Sequence, residues 1–416
     1  MINKKVAIIG AGASGLMAAY MFAMNGIEAD LYEKNQRLGM KLGITGKGRC
    51  NVTNNCAIEE LMNNTVTNNR FMYSAFSCFS PEDLMNLLEK NGLPLKTERG
   101  NRVFPVSDRA LDVISFFLRN IDGSSVEIVR QAVVGIEHAD CFCVMTAKEK
   151  RLYDYVILAT GGVSYPRTGS TGDGYRFAER FGHSIVAPRA SLIPLESKDT
   201  ACKDLQGLSL KNVTATFLNK QGKIIYSELG EMLFTHFGVS GPLVLTASAY
   251  MKENDISGYS VKIDLKPGLD NKSLDARILR DFGVAQNKEF KNSLSALLPS
   301  KMVPVIIKRS GIDPHKQINV ITKEERTNLV NTIKGFEISI ERRRPIEEAV
   351  ITAGGINVKE ISPKTMESKI LNGLYFAGEV IDVDALTGGF NLQIAFSTAA
   401  LAAQSIIDRI YNSWED

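Results

Sequence analysis

The chain has 416 residues, a formal net charge of +3 and a hydrophobic content of 44%. This length exceeds that of one ordinary domain, so we expect two or three domains. The small net charge and the spread of basic residues along the chain disfavour a nucleic-acid partner, and the 23% of charged residues is typical of a globular protein in water.

The sequence also disfavours a membrane protein and a metal site. No apolar run reaches the ~18–20 residues that a membrane-spanning helix needs. The first apolar run, Val6 to Ile9, is predicted to be a strand rather than part of a signal peptide, so we expect a cytoplasmic protein. The six cysteines and four histidines show no metal-ligand spacing, which predicts free thiols and no metal site.

A dinucleotide-binding motif opens the chain. An apolar strand leads into Gly10, Gly12 and Gly15, and a helix is predicted from Ser14 to about Asn25. In this arrangement the first glycine permits a tight turn, the second lets the backbone approach a pyrophosphate, and the third lets helix and strand pack closely. The free N–H groups at the helix N-terminus attract phosphates. Glu33, at the end of the next apolar run, is placed to accept hydrogen bonds from a ribose.

Glycine-rich loops and predicted elements alternate through the next segment. Residues 34–56 form a basic, glycine-rich loop, and ordered loops of this length usually carry function. A helix is predicted from Pro81 to Asn91 with Ser80 as its N-cap. A later apolar strand ends at Thr160 and Gly161, as a central parallel strand does where it meets a ligand.

The hydrophobic pattern changes after Pro188. Short alternating runs over 191–270 and 334–345 predict an antiparallel β domain, and residues 271–333 predict a small helical subdomain. The last segment returns to strands and a long helix. We therefore predict an α/β fold in which a Rossmann-type domain, formed by 1–190 and 346–416, is interrupted by this insertion.

Two glycine clusters lie close to the C-terminus. Gly378, Glu379 and Asp382 follow an apolar strand, a position from which FAD-binding proteins direct an acid towards the ribityl or pyrophosphate part of the cofactor. Gly389 precedes the last helix, which is predicted from Asn391, its expected N-cap, to Asn412. The positive end of this helix suits the N1–C2=O edge of an isoalloxazine.

The run from Thr45 to Asn54, TGKGRCNVTN, resembles the G-x-G-R-C-N-x-T-N signature of a bacterial flavoprotein family. This family is called YhiN-like, BaiN-like or aminoacetone oxidase family FAD-binding enzymes. Further runs that resemble it are 161–174, 233–242, 352–355, and 365–369 together with 388–393. The resemblance implies a noncovalently bound FAD on the Rossmann-type domain, an inserted antiparallel β-barrel-like domain and a small helical subdomain.

Carried over by position, the resemblance implies a set of FAD-binding residues. They are Gly10, Gly12, Ala13, Gly15, Glu33, Lys34, Lys41, Gly48, Arg49, Cys50, Asn51, Val133, Thr160, Gly161, Gly378, Glu379, Asp382, Gly389, Asn391 and Leu392. For Cys50, a packed thiol is favoured over a redox-active one.

The resemblance implies an FAD-dependent oxidoreductase in which a hydride passes between flavin N5 and a small organic substrate. The flavin carries this chemistry, so no catalytic side chain is assigned. An NAD(P)H-linked reductase of an unsaturated or carbonyl compound is favoured, with NAD(P)H as a transient electron donor. The alternatives are an amine (aminoacetone-type) oxidase that uses O2 and a non-catalytic flavin-binding redox sensor or interaction protein. We expect no nucleic-acid and no membrane partner.

Overall fold

A computed structural model describes residues 5–284 and 288–412. The chain divides into two compact units. The interrupted unit comprises Met1–Ser191 and Ile346–Asp416, and the inserted unit comprises Leu192–Pro345. The finer division of the insertion at residues 270 and 333 stays a prediction.

The strands are, in chain order, β1 (Val6–Ile9), β2 (Ala29–Tyr32), β3 (Thr53–Asn54), β4 (Leu95–Glu98), β5 (Arg102–Pro105), β6 (Val126–Val129), β7 (Val133–His138), β8 (Phe142–Thr146), β9 (Lys150–Tyr153), β10 (Tyr155–Leu158), β11 (Ile185–Ser191), β12 (Leu195–Glu196), β13 (Ser209–Leu218), β14 (Ile224–Thr235), β15 (Gly238–Ser240), β16 (Tyr259–Asp264), β17 (Phe336–Ile340), β18 (Arg342–Arg343), β19 (Ile351–Ile356) and β20 (Leu374–Phe376).

The α-helices are α1 (Ala13–Met24), α2 (Met40–Ile44), α3 (Ile58–Asn64), α4 (Tyr73–Cys78), α5 (Pro81–Lys90), α6 (Ala110–Ile121), α7 (Asp173–Arg180), α8 (Thr200–Asp204), α9 (Pro242–Tyr250), α10 (Asn271–Val284), α11 (Met302–Ser310), α12 (Lys323–Lys334) and α13 (Phe390–Asn412).

The interrupted unit is built on a parallel five-stranded sheet in the order β20-β10-β1-β2-β6. The registers of β1 with β2 and with β10 are parallel throughout, and β20 comes from the segment after the insertion. All residues of β1, β2, β10 and β20 are buried, as expected for parallel strands covered on both faces. The predicted α/β fold with a Rossmann-like core is confirmed.

The inserted unit contains a seven-stranded antiparallel sheet in the order β17-β16-β13-β14-β15-β12-β18. Its two end strands, β17 and β18, are separated along the chain by Glu341 alone. One chain segment therefore pairs with β16 at its start and with β12 at its end, so the sheet curls round towards a barrel. Helices α10, α11 and α12 pack in the same unit and share its apolar core.

The local signals at α5 reproduce the predicted helix start. Ser80 accepts a hydrogen bond from the backbone N–H of Asp83, whose carboxylate in turn accepts from the Ser80 N–H. Pro81 occupies the first turn, where its missing N–H costs no hydrogen bond.

One expectation about apolar runs needs correction. Helix α13 is long and apolar enough to cross a membrane by length and composition. However, 78% of its most apolar window is buried inside the protein. It packs against α1 and α4, so its apolar character is explained by its place in the core. The cytoplasmic location stays a prediction.

Candidate functional site

A cleft opens where the parallel strands β1, β2 and β10 end. Its lining includes these predicted cofactor contacts: Gly10, Gly12, Ala13, Glu33, Lys34, Lys41, Val133, Thr160, Gly161, Glu379, Asn391 and Leu392. The carboxyl edge of a parallel sheet is where α/β folds bind ligands, because loops leave the sheet there in opposite directions.

The cleft is also lined by residues that the sequence analysis did not assign as cofactor contacts. They are Ile9, Ala11, Ser14, Tyr32, Met40, Leu42, Thr45, Gln131, Ala159, Thr168, Gly169, Ser170, Asp173, Phe177, Val350, Ile351 and Ala395. Ala11, Ser14 and Ala159 adjoin motif residues, so their position in the motif is a usable signal. Gln131 and Val350 lie in no motif, and only the folded chain brings them to the cleft.

Two of the three glycines of the opening turn are required by the packing of the chain itself. Gly10 has a φ of +104°, and a Cβ there would lie 2.7 Å from the carbonyl oxygen of Ala159. A Cβ on Gly15 would lie 1.8 Å from the carbonyl oxygen of Gly10, so the packing of α1 on the turn excludes a side chain.

Gly12 is different, because no protein atom requires glycine there. Its φ of −78° and ψ of −163° are extended backbone that any residue adopts. A Cβ at this position would meet no atom within 4 Å. Gly12 directly precedes α1, whose first N–H groups lack helical partners. The open space over this backbone fits a diphosphate bound at a helix N-terminus.

The acidic residue after β2 is held in place by the backbone. One carboxylate oxygen of Glu33 accepts from the Ala11 N–H at 3.0 Å, and the other accepts from the Asn35 N–H at 2.8 Å. Next to it, Lys34 Nζ lies 2.6 Å from a carboxylate oxygen of Asp173. Burial raises the pKa of Asp173, but hydrogen bonds from Lys34 and Thr171 outweigh this effect and leave the pKa lowered. This end of the cleft therefore presents charged groups in fixed positions.

A second charged network lies deeper in the cleft, around Glu379. Lys41 Nζ lies 2.5 Å from Glu379 Oε2 and donates to Ser164 Oγ at 2.6 Å. Glu379 Oε1 accepts from Ser164 Oγ at 2.9 Å and from the Thr352 N–H at 2.8 Å. Both oxygens of this carboxylate are engaged, so it acts to orient Lys41, whose ammonium retains a proton free for a ligand. Thr352 belongs to one of the motifs of the resemblance, although its link to Glu379 could not be read from the sequence.

The start of α13 differs from the prediction. The helix begins at Phe390, so Asn391 is its second residue rather than its N-cap. The Asn391 amide instead accepts from the Ala385 N–H at 2.9 Å and donates to the carbonyls of Ala385, at 2.7 Å, and Leu386, at 3.2 Å. This side chain fixes the loop before the helix, and the N-terminal turn of α13 still lines the cleft.

The remaining predicted contacts lie outside the cleft lining: Gly15, Gly48, Arg49, Cys50, Asn51, Gly378, Asp382 and Gly389. The guanidinium of Arg49 lies 2.5 Å from both Glu98 and Asp108 and 4.1 Å from the centre of the Phe104 ring. The sequence could not reveal these partners, which lie on distant parts of the chain.

Cys50 and Asp382 are both buried. Burial raises the pKa of the Cys50 thiol to about 12, so the thiol stays protonated and unreactive near neutral pH. Burial also raises the pKa of Asp382, whose carboxylate accepts from Asn68 Nδ2 at 3.0 Å. Their assignment as FAD contacts stays a prediction.

Residues 5–284 and 288–412 contain no group of three or more His, Cys, Asp or Glu side chains placed to hold a metal ion. The site in this part of the chain consists of a glycine turn, two charged networks and a helix N-terminus. These features suit an anionic dinucleotide ligand.

Residues 4–405 match the family described as HI0933-like protein Rossmann domain. The chain belongs to this family. The match covers nearly all of its length and confirms the resemblance that the motifs indicated. An FAD-dependent oxidoreductase of the HI0933-like family is thus the class of enzyme that this chain represents.

Three relatives of the chain carry two different names. The chain is 33% identical over 406 residues to a ribosomal RNA dihydrouridine synthase of Haemophilus influenzae, covering 96% of this chain and 97% of the relative. It is 28% identical to a protein of the same name from Escherichia coli, covering 96% and 97%. It is 27% identical to a 3-dehydro-bile acid delta(4,6)-reductase of Clostridium scindens, covering 97% and 99%.

The geometry of the cleft agrees with FAD as the cofactor of the family. The space over Gly12 leaves room for a diphosphate, Glu33 lies at the position where an acid meets the adenosine ribose, and Lys41 supplies a fixed positive charge. The lining also continues to the N-terminal turn of α13, as a ligand longer than a mononucleotide requires.

Proposed function

We propose that this chain is a reductase that adds hydrogen across a carbon–carbon double bond conjugated to a carbonyl group. The observation that carries this proposal is the near full-length similarity to proteins with two different names. A dihydrouridine synthase saturates the C5=C6 bond of uracil, which is conjugated to the C4 carbonyl. A delta(4,6)-reductase of a 3-dehydro-bile acid acts on double bonds conjugated to the 3-keto group. Both names describe the same change of bonds.

The residues of this chain would perform the binding and positioning steps. The N–H groups at the start of α1, above Gly12, would hold the diphosphate of FAD, and Glu33 would fix the adenosine ribose. Lys41, oriented by Glu379 and Ser164, would place a positive charge beside the cofactor. Bound FAD would supply the hydride that the substrate double bond receives, and solvent water would supply the proton that completes the addition.

We propose uridine in ribosomal RNA as the substrate, because the 33% identical relative carries that activity in its name. This proposal departs from the expectation of a small-molecule substrate without nucleic acid, and the experiment below tests the two against each other. NADH or NADPH is the proposed electron donor. The sequence contains one strand–G-x-G-x-x-G–helix unit, so the nicotinamide would bind transiently to the flavin-loaded enzyme.

The test is an anaerobic reaction of the FAD-loaded protein. The flavin is reduced with NADH or NADPH, and then unmodified ribosomal RNA transcribed in vitro, a steroid enone or aminoacetone is added. We expect the RNA to reoxidise the flavin and to gain 2 Da at a uridine, detected by mass spectrometry of nucleoside digests. Reoxidation by the enone alone would support the small-molecule expectation.

The other two alternatives are tested in a second reaction that starts from oxidised flavin without NAD(P)H. Flavin reduction by aminoacetone, followed by O2 consumption when air is admitted, would favour the amine oxidase. A flavin that accepts electrons yet transfers them to none of these substrates would favour the redox sensor or interaction protein.

A further inference from the structure

The charge of the chain is unevenly distributed. Residues 271–333, here called the helical part, contain 11 Lys and Arg against 6 Asp and Glu. The rest of the inserted unit, 192–270 and 334–345, contains 12 against 11, and the residues outside the insertion contain 26 against 29. The small net charge of the whole chain therefore conceals a local excess of positive charge in one helical segment.

Four of the six carboxylates in the helical part form ion pairs within it. Asp275 pairs with Arg326, Asp281 with Arg277, Glu289 with Lys291, and Glu325 with Lys316, at N–O distances of 2.5 to 2.9 Å. Two further carboxylates, Asp313 and Glu324, are exposed.

Six cations of the helical part are left without an ion-pair partner among the described residues. They are exposed, and they are Lys272, Arg280, Lys288, Lys301, Lys308 and Lys323. Lys272 and Arg280 lie on α10, Lys308 lies near the end of α11, and Lys323 begins α12. Isolated surface lysines are usually solvated and bind nothing. Here, the six unpaired cations outnumber the two exposed acids, and this imbalance gives the segment a net positive potential.

A groove in the same part has a composition that suits a nucleotide. Its lining includes the apolar Val303, Ile307 and Ile312, and it also includes the charged Lys291, Lys308 and Asp313. Lys291 is paired with Glu289, so Lys308 is the cation of this lining without an ion-pair partner among the described residues. A nucleobase has apolar faces and its phosphate is an anion, so apolar side chains beside the unpaired ammonium of Lys308 complement both.

We propose that the helical part, residues 271–333, is an RNA-docking surface that contacts the phosphate backbone through its unpaired cations. This inference rests on the proposed function, in which ribosomal RNA is the substrate. Phosphate contacts fix the position of a nucleic acid without reading its sequence. The surface therefore supplies affinity, whereas the flavin cleft carries out the reduction.

The experiment compares two triple variants of the FAD-loaded, full-length protein. The test variant carries Lys288→Gln, Lys308→Gln and Lys323→Gln. The control variant carries Lys211→Gln, Lys223→Gln and Lys252→Gln. It removes the same charge from exposed residues of the inserted unit that lie outside the helical part and have no ion-pair partner among the described residues. Binding to unmodified ribosomal RNA transcribed in vitro is measured at several salt concentrations, together with FAD content.

We expect the test variant to bind RNA more weakly, with a slope of log K against log salt that is shallower by about 2 to 3, since each phosphate contact contributes roughly 0.7 to 0.9. The control variant should keep both the affinity and the slope. Both variants should retain FAD and unfold at the wild-type Tm, which shows that they are folded.

Equal loss of binding in both variants, or no loss in either, would overturn the proposal. Vesicles of phosphatidylglycerol are tested in parallel, and binding to vesicles without binding to RNA would also overturn it. The proposed function can fail independently of the docking surface. If the wild-type protein binds RNA through the helical part but reduces neither RNA nor enones, the reductase proposal is refuted and the docking proposal is retained.

Discussion

Replacing Gly12 with serine should separate the stability of the protein from its affinity for FAD. Gly12 is the residue before α1 and has no side-chain cap, and its φ and ψ suit any residue. A serine there can accept a hydrogen bond from a free N–H of the first helical turn. The substitution also restricts the unfolded chain, which stabilises by about 0.4–1 kcal/mol. The cap adds a few tenths of a kcal/mol. The free energy of unfolding of the apoprotein should therefore rise by about 0.5–1.5 kcal/mol.

The same serine should nearly abolish cofactor binding. Its Cβ points into space that no protein atom approaches within 4 Å. A diphosphate that needs this space would be displaced from the N–H groups of α1. Losing two hydrogen bonds to a charged group costs about 3–6 kcal/mol, which corresponds to roughly a hundredfold to ten-thousandfold in the Kd for FAD.

Thermal unfolding of the apoprotein and quenching of FAD fluorescence measure the two effects. Gly15→Ser serves as the control, because its Cβ would lie 1.8 Å from the Gly10 carbonyl oxygen and the variant should fail to fold. A Gly12→Ser protein that binds FAD with the wild-type Kd would show that the cofactor does not pass over this turn. A destabilised apoprotein would refute the reasoning about the backbone.

Three further predictions concern the charged and buried groups. Lys41→Met should weaken FAD binding by at least about tenfold, because it leaves the Glu379 carboxylate without its cation. Adding Glu379→Gln should recover part of this loss in a double-mutant cycle of Kd values. Strictly additive effects of the two substitutions would contradict the coupling. Burial lowers the pKa of His183 below 6.5, although Glu360 opposes the effect. The unfolded chain therefore takes up a proton first as the pH falls. The contribution of His183 to the free energy of unfolding is complete above pH 6.5 and declines below it by at most about 1.4 kcal/mol per pH unit. Urea unfolding at pH 7.5 and 5.5 should show a smaller decline for His183→Gln, and an equal decline would refute this role. Cys50→Ala should keep FAD and leave the number of thiols that react with Ellman's reagent in the native protein unchanged, whereas one fewer should react after denaturation.

The parts of the site that depend on local chain geometry could be predicted from the sequence. The strand, turn and helix around Gly10, Gly12 and Gly15 follow from backbone requirements within a few residues, and the capping box at Ser80 is equally local. Buried parallel strands are likewise visible as uninterrupted apolar runs, which is why the α/β core could be predicted.

Contacts between distant segments could not be predicted. The sequence places Arg49 in a basic loop next to Cys50, but its guanidinium pairs with Glu98 and Asp108, which fold beside it from later strands and loops. Asn391 has the residue type of an N-cap, yet its amide is used by the preceding loop because Ala385 lies within reach. Side chains with several hydrogen-bonding atoms find partners that only the fold determines.

The net charge of the whole chain does not show how the charge is distributed along it. The net charge of +3 suggested no polyanion partner, although residues 271–333 hold nearly two cations for each acid. The acidic remainder of the chain offsets part of this excess in the total.

The most direct test of the account is a single turnover of the reduced enzyme with unmodified ribosomal RNA under anaerobic conditions. Flavin reoxidation is followed by absorbance, and dihydrouridine is counted by mass spectrometry in the same samples. The account predicts one dihydrouridine formed for each flavin reoxidised, with no product from protein that lacks FAD. Flavin that stays reduced in the presence of the RNA, or that is reoxidised without forming dihydrouridine, would contradict it.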